Sequence, residues 1–353
     1  MEATDPGPWA EQEFGLAQMG DERRRRRLVK MAAQTARRPA GRITAVFGKQ
    51  SARRAAFRLM GNDDAEPFQV ADAAHRACAR RAAGEEFVFV PVDGSSLNLA
   101  DWTRSKDLGV VGARAIGARG LQVLTAIAIA RDGTPLGTCG QKWWARKGRV
   151  RRKGKHDRRQ VRSKETQHWL DVMVQVRGTF ATDAPSTKPW FQLDRGGDAW
   201  PVVLDGLGPH QLFTVRAAHD RRVIGEAEAP RRHLWETVEA QPLLGHYDLA
   251  VPSRPGRSAR TARIAVRACS VTLDLFDERT RKRRPATLWA VLAREDGTVP
   301  RGQEPVEWLL LTTYPAHTLD DARLVLRGYA QRWRIEMCHP WCTPCHRYFT
   351  PKP

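Results

Sequence analysis

Hydrophobic and polar positions follow two different periods along the chain, helical before residue 84 and mostly strand-like after it. Asp21 stands in front of a stretch where Leu28, Val29, Met31 and Ala32 follow five consecutive arginines, Arg23 to Arg27. That spacing predicts a capped helix, and five arginines in a row cannot all face a core, so several must be displayed to solvent or to an anion. A second helix is expected over residues 51–60, with Ser51 as cap, Phe57 and Met60 apolar, Arg53, Arg54 and Arg58 outward, and Gly61 as the stop. Residues 71–83 give a third. Gly84 ends the helical pattern, and short β-prone runs follow at residues 87–92, 123–130, 135–141, 190–193 and 211–216, with Asp132-Gly133 as a hairpin turn. Residues 163–176 interrupt them as a helix carrying Trp169, Leu170 and Met173. From 217 to 305 strong helical periodicity is lacking, and β-prone runs occur at 262–266, 270–275 and 287–293, with a basic turn of Arg279, Arg281, Lys282, Arg283 and Arg284. An apolar strand at 308–312 precedes a last helix, capped by Thr318 with Asp321 at its third position and uninterrupted by proline until Pro340.

This order predicts an α/β protein of several units, since 353 residues exceed the usual length of one domain. The expected divisions are a helical unit at 1–83, the first part of a mixed core at 84–216, a β-rich insertion at 217–305, the last strand and helix at 306–338, and a tail at 339–353.

Composition then narrows the partners. The net charge is +20, and cations in such excess favour a polyanion whose counterions are released on binding, with nucleic acid as the first candidate. No apolar run approaches the roughly 18 residues that a membrane-spanning helix requires. Residues 1–20 are acidic and polar, unlike a secretory leader, so a cytoplasmic protein is expected. Residues 146–164 contain one acid, Asp157, among many cations, and are expected as a loop or extended arm ordered by an anionic partner. Cys78, Cys139 and Cys269 are scattered like ordinary reduced thiols. Cys338, Cys342 and Cys345 crowd with His339 and His346 into the tail, a combination able to hold zinc, although Pro340, Pro344, Pro351 and Pro353 deny it regular structure.

Three acids stand where chemistry is commonly placed. Asp93 and Asp194 each end an apolar strand and are followed by small or flexible residues, while the last helix carries Tyr329, Arg332 and Glu336 at offsets of zero, three and seven, along one stripe. The bland alternatives are turn-forming aspartates and the solvated edge of an amphipathic helix packed through Val325, Leu326 and Trp333. If they converge, three carboxylates can hold two hard cations such as magnesium, or manganese, against a phosphodiester, and no protein nucleophile is needed.

At these residues the chain resembles bacterial cut-and-paste transposases of the insertion sequence 4 family, which carry a DDE active site. The resemblance rests on Val92-Asp93-Gly94-Ser95-Ser96, on Leu193-Asp194-Arg195 and on Tyr329-Ala330-Gln331-Arg332-Trp333-Arg334-Ile335-Glu336, in the family's order. The arginine-rich helix, the strand end at 141–144 and the strand at 307–312 also look like family segments, so about residues 10 to 338 are covered. It implies a ribonuclease-H-like mixed sheet with flanking helices, a helical DNA-binding domain before it and a β-rich insertion within it. Asp93, Asp194 and Glu336 would ligate two magnesium ions, and Tyr329 and Arg332 would grip phosphates. Trp308 would stack on a flipped base, the alternative being a strand-end core aromatic. Arg23, Arg24, Arg26, Arg27, Arg53 and Arg54 would meet the DNA backbone of the transposon ends. A homodimer associated with the bacterial nucleoid is further implied.

The departures from the family pattern carry expectations of their own. The signature's lysine is due seven residues after Glu336, where Thr343 stands, and the helices that the family uses to pair two subunits are missing. A frameshifted or early-stopped copy is the expectation, and with it a rival function: a non-catalytic DNA-binding protein that occupies transposon ends and inhibits an intact enzyme.

Overall fold

The structure, a computed structural model, describes residues 5–39, 42–100, 103, 106–112, 118–146, 154–225, 232–251, 253, 258–277 and 280–337, with the backbone alone at 154–164 and 336–337. The chain begins with helices α1 (Gly7–Phe14), α2 (Glu22–Arg37), α3 (Ile43–Val46) and α4 (Gln50–Met60). Asp21 caps α2 as its sequence position predicts, its carboxylate accepting from the Arg23 amide at 2.7 Å. Ala17, Met19, Leu28 and Leu59 bury one another in a small core of their own. The second predicted helix starts one residue early, at Gln50, and Ser51 makes no cap.

Helix α5 (Pro67–Ala82) is longer than the 71–83 expected because Pro67 suits a first helical turn and Gln69 accepts from the Glu66 amide at 3.1 Å. It packs on β4 (Pro135–Trp144) and on α6 (Gly154–Asp183) as well as on α1. Arg76 and Arg80 clasp Asp183 at the end of α6, and Arg81 binds buried Glu13 of α1 at 2.6 Å. The third helix is thereby the joint between the N-terminal helices and the sheet.

The remaining strands are β1 (Phe87–Asn98), β2 (Gly109–Val110), β3 (Arg119–Ile129), β5 (Lys188–Leu193), β6 (Leu212–Arg216), β7 (Gly245–Val251), β8 (Arg260–Asp277), β9 (Lys282–Glu295) and β10 (Glu307–Thr312). They and β4 form a single sheet in the order β2-β3-β1-β5-β6-β10-β9-β8-β7, with β4 also on the outer side of β3. β1, β3 and β4 are antiparallel, and β5 and β6 continue from β1 in parallel. Three antiparallel strands beside two parallel ones, with helices on both faces, make a ribonuclease-H-like sheet.

Residues 87–92 read as an unbroken apolar run because both faces of β1 are covered. Val88, Val90 and Val92 belong to the core under α5, α6 and α7 (Trp200–Gly206), together with Leu124, Ala126, Phe191 and Leu193. Phe87 and Phe89 belong to the opposite core with Ile127, Ile129, Trp190, Val325 and Leu326, the last two from α9 (Leu319–Ala330). Helix α8 (Leu234–Glu239) packs on β8 and β9.

Four expectations need correction. Strand β1 does not end at Asp93 but continues to Asn98, because β3 keeps pairing with it after β5 has stopped at Val92. Residues 154–164 are backbone-helical, the start of α6, and not an extended arm: long straight side chains lack core-forming power yet have good helix propensity. The runs at 262–266 and 270–275 are one strand, β8, and the inserted strands join the central sheet through β10. The last helix is not continuous: a 3-10 turn, Gln331–Trp333, separates α9 from α10 (Arg334–Met337). Its capping box is present, with the Thr318 amide donating to Asp321 at 2.9 Å and the Asp321 amide donating to Thr318 at 3.2 Å.

Candidate active site

The parallel registers of β1, β5 and β6 build the site. Val92 lies beside Leu193 and Leu193 beside Val215, so the next residues, Asp93, Asp194 and Arg216, form a row across three adjacent strands at one end of the sheet. The row continues the other way, since Asp93 is opposite Thr125 of β3 and Thr125 is opposite Gln141 of β4. Apolar residues that end together in charged ones are the natural outcome where the core stops and solvent begins.

Each acid is fixed by its own backbone. Asp93 accepts from the Gly94 amide at 2.8 Å, and Asp194 accepts from the Gly196 amide at 2.7 Å while capping the 3-10 turn Arg195–Gly197. A β-carbon at Gly196 would stand 2.9 Å from the Asp194 carboxylate, so the glycine keeps that oxygen accessible to its amide. Asp198, buried at the end of the turn, accepts from the Ala218 amide and from Arg221, both at 2.6 Å, and ties the turn to the chain leaving β6.

Arg332 reaches across from the 3-10 turn and donates to Asp93 at 2.8 Å. Its guanidinium carbon lies 5.0 Å from the Trp333 ring centre and 6.0 Å from that of Tyr329, and its buried Nε has no hydrogen-bond partner among the described residues. Burial works against the Arg332 charge, but Asp93, Tyr329 and Asp194 outweigh it and hold its pKa above the ordinary arginine value. The Tyr329 hydroxyl is pushed up by burial, against the pull of Arg332 and Arg216. Burial lowers Arg216, helped by the like charges of Arg195 and Arg332. Two acids, three arginines and a tyrosine therefore share one electrostatic neighbourhood.

The sequence brings forward Asp93, Asp194, Tyr329 and Arg332, and the structure assembles all four. The stripe argument for the last helix is not what does it: the 3-10 turn breaks the regular period, and the turn itself carries Arg332 to Asp93. For Glu336 the structure gives the backbone, on α10, which packs against β1 and β3. Trp308 is corrected. It is only 8% exposed, and its ring meets Tyr329 edge-on at 5.2 Å, so the core-aromatic reading holds and no face is open for a base. Arg216 escapes sequence reasoning because one arginine after a short strand resembles any surface cation; strand register is the signal that finds it.

On α2, Arg23 pairs with Asp21 at 3.1 Å and Arg26 with Glu22 at 2.9 Å, while Arg24 binds Asp64 and the Met19 carbonyl. Exposed pairs of this kind are worth about 1 kcal/mol or less, so they exchange readily for phosphate. Arg54 is exposed, and Arg27 and Arg53 are half-buried. Cys78, Cys139 and Cys269 are free thiols, and the cysteine and histidine tail lies outside the described residues. Among the described residues no group of three His, Cys, Asp or Glu side chains is placed to hold a metal, a set that excludes the Glu336 side chain. The oxygens of Asp93 and Asp194, side by side in register, are hard donors of the kind that magnesium takes.

Residues 6–65 match the family model described as transposase DNA-binding. The match covers α1 to α4 and the arginines just described, and it supports a transposase whose partner is DNA. No described helix is long and apolar enough to cross a membrane.

Proposed function

We propose that the chain is a DDE transposase of the insertion sequence 4 type, which binds transposon ends through residues 6–65 and cleaves them at the Asp93–Asp194 row. The observation that carries the reading is the register itself, which sets the two aspartates beside each other, with Arg332 on one of them and Arg216 next in line. Asp93, Asp194 and Glu336 would hold magnesium or manganese, which when bound activates the attacking oxygen and neutralises the leaving one. The chain's own part is to bind and orient. Arg332, already bonded to Asp93, and Arg216 hold positive charge beside the acid row where a backbone phosphate would lie, and Tyr329 walls them from the core. Water attacks the phosphodiester at the transposon end and releases a 3′ hydroxyl, which attacks the opposite strand to form a hairpin and displaces the 3′ hydroxyl of the flanking DNA; a second water reopens the hairpin, and the regenerated 3′ hydroxyl attacks target DNA, displacing a 3′ hydroxyl there. Residues 84–216 and 306–337 would form the catalytic unit, with 217–305 inserted between its strands.

The test is nicking of end-bearing DNA by the purified chain in magnesium or manganese. Asp93→Asn and Asp194→Asn are each expected to lower the rate by about 10³-fold or more while DNA binding persists. A second reading, a non-catalytic protein that occupies transposon ends and inhibits an intact enzyme, draws on the match at residues 6–65 and expects tight binding with no metal-dependent nicking.

A further inference from the structure

Neighbouring tryptophans on β4 are put to opposite uses. Trp144 faces the α6 side, where its ring lies 4.3 Å from that of His168 and packs against the core. Trp143 faces the other side, that of Asp93, and is 39% exposed. The side is fixed by alternation and by hydrogen bonds: Asp93 shares its face with Phe87 and Phe89, Thr125 with Ile127 and Ile129, and Gln141 donates to the Thr125 hydroxyl at 3.3 Å. Trp143, two residues beyond Gln141 and opposite Val123, points the same way, and its indole N–H donates to the Gln141 side-chain oxygen at 2.9 Å. A file of Thr125, Gln141 and Trp143 thus runs from the acid row to the outer strand. With strands about 4.8 Å apart and a rise of about 3.4 Å per residue, Gln141 lies about 10 Å from Asp93 and Trp143, two residues further along β4, about 12 Å.

This indole has its one polar group already satisfied and its plane held by Gln141. What it offers is a flat apolar ring, 39% exposed, on the same side of the sheet as the Asp93 carboxylate and the Arg332 guanidinium bonded to it. A flat aromatic ligand that carries a phosphate backbone fits both ends of the file, and the chain's charge of +20 favours it.

We propose that Trp143 is a stacking platform for an unpaired DNA base about 12 Å from Asp93, oriented by Gln141. The inference rests on the proposed function for the identity of the ligand as DNA. It applies to DNA that is locally single-stranded, because a paired base keeps its faces within the duplex. Base stacking on an aromatic ring is less sensitive to salt than phosphate contacts, so it can be read above the general basic binding.

The experiment uses the full chain in EDTA and 0.3 M salt, with a single-stranded 12-mer oligothymidylate and a blunt 12-base-pair duplex as probes. Trp143→Ala is expected to weaken oligothymidylate binding about 5- to 100-fold and to leave duplex binding within about twofold. Trp143→Phe should recover most of the loss, and Gln141→Ala, which frees the ring, should produce a smaller one. An unchanged oligothymidylate affinity in Trp143→Ala overturns the proposal, and so does an equal loss on both probes, which would mark general damage or a protein partner for this face. Cleavage plays no part in EDTA, so failure of the nicking assay and failure of stacking are separate results.

Discussion

Arg332 and Asp93 illustrate what can be learned from single residues. Both were singled out in the sequence, Asp93 after an apolar run and Arg332 in the last helical segment, but their 2.8 Å pairing depends on a turn that no period announces. Gly328 is part of the same placement. A β-carbon there would stand 2.6 Å from the Phe89 ring and 3.0 Å from the Gln192 amide, so the glycine is what lets α9 lie against β1 and β5. Gly328→Ala is expected to destabilise the fold by about 1–3 kcal/mol, measured by urea unfolding. His75, on α5, is buried and meets Gln175 at a long 3.4 Å, and burial pushes its pKa from 6.5 down to about 4. The unfolded imidazole binds a proton that the folded one refuses across that window. Stability therefore falls as pH is lowered from about 6.5 to about 4, by about 3 kcal/mol in all. His75→Gln should remove this part of the acid sensitivity, seen as a flatter plot of unfolding free energy against pH.

At the scale of elements, strands were read well and helix ends less well. Apolar runs located β1, β3, β5 and β10, since burial on both faces leaves little room for another pattern, while β6 was read as a strand of mixed character. What the runs could not show was where pairing stops: β1 outlasts its apolar stretch because β3 is there to bond it, and β8 absorbs two predicted strands for the same reason. Residues 154–164 failed differently, because a polar composition argues against a core and says little against a helix. Thr318, by contrast, was legible as a cap. Thr318→Ala should cost about 1 kcal/mol and loosen the start of α9, as faster amide exchange at 319–322 would reveal.

For the whole molecule, the important joint is α5. Its Arg81 binds Glu13, a buried acid on α1, and also donates to the Leu136 carbonyl of β4 at 2.7 Å, so one side chain spans the N-terminal helices and the sheet. Arg81→Ala leaves a buried carboxylate without its cation. A loss of about 3 kcal/mol is expected, together with faster proteolysis between α4 and α5. The sequence placed this helix with the DNA-binding unit because its neighbours there are basic and helical; its alanine-rich face, which is what fits it against β4, reads equally well either way.

Strand β10 also has a mechanical meaning. It bonds β6 on one side and β9 on the other, so the row of Asp93, Asp194 and Arg216 and the basic bend before Lys282 belong to one stiff plate. Arg216 lies level with Val291, nine residues along β9 from Lys282 (291 minus 282), or about 30 Å at strand rise. A polyanion held at both places is gauged as if by a ruler, whose graduation is set by the length of a β-hairpin.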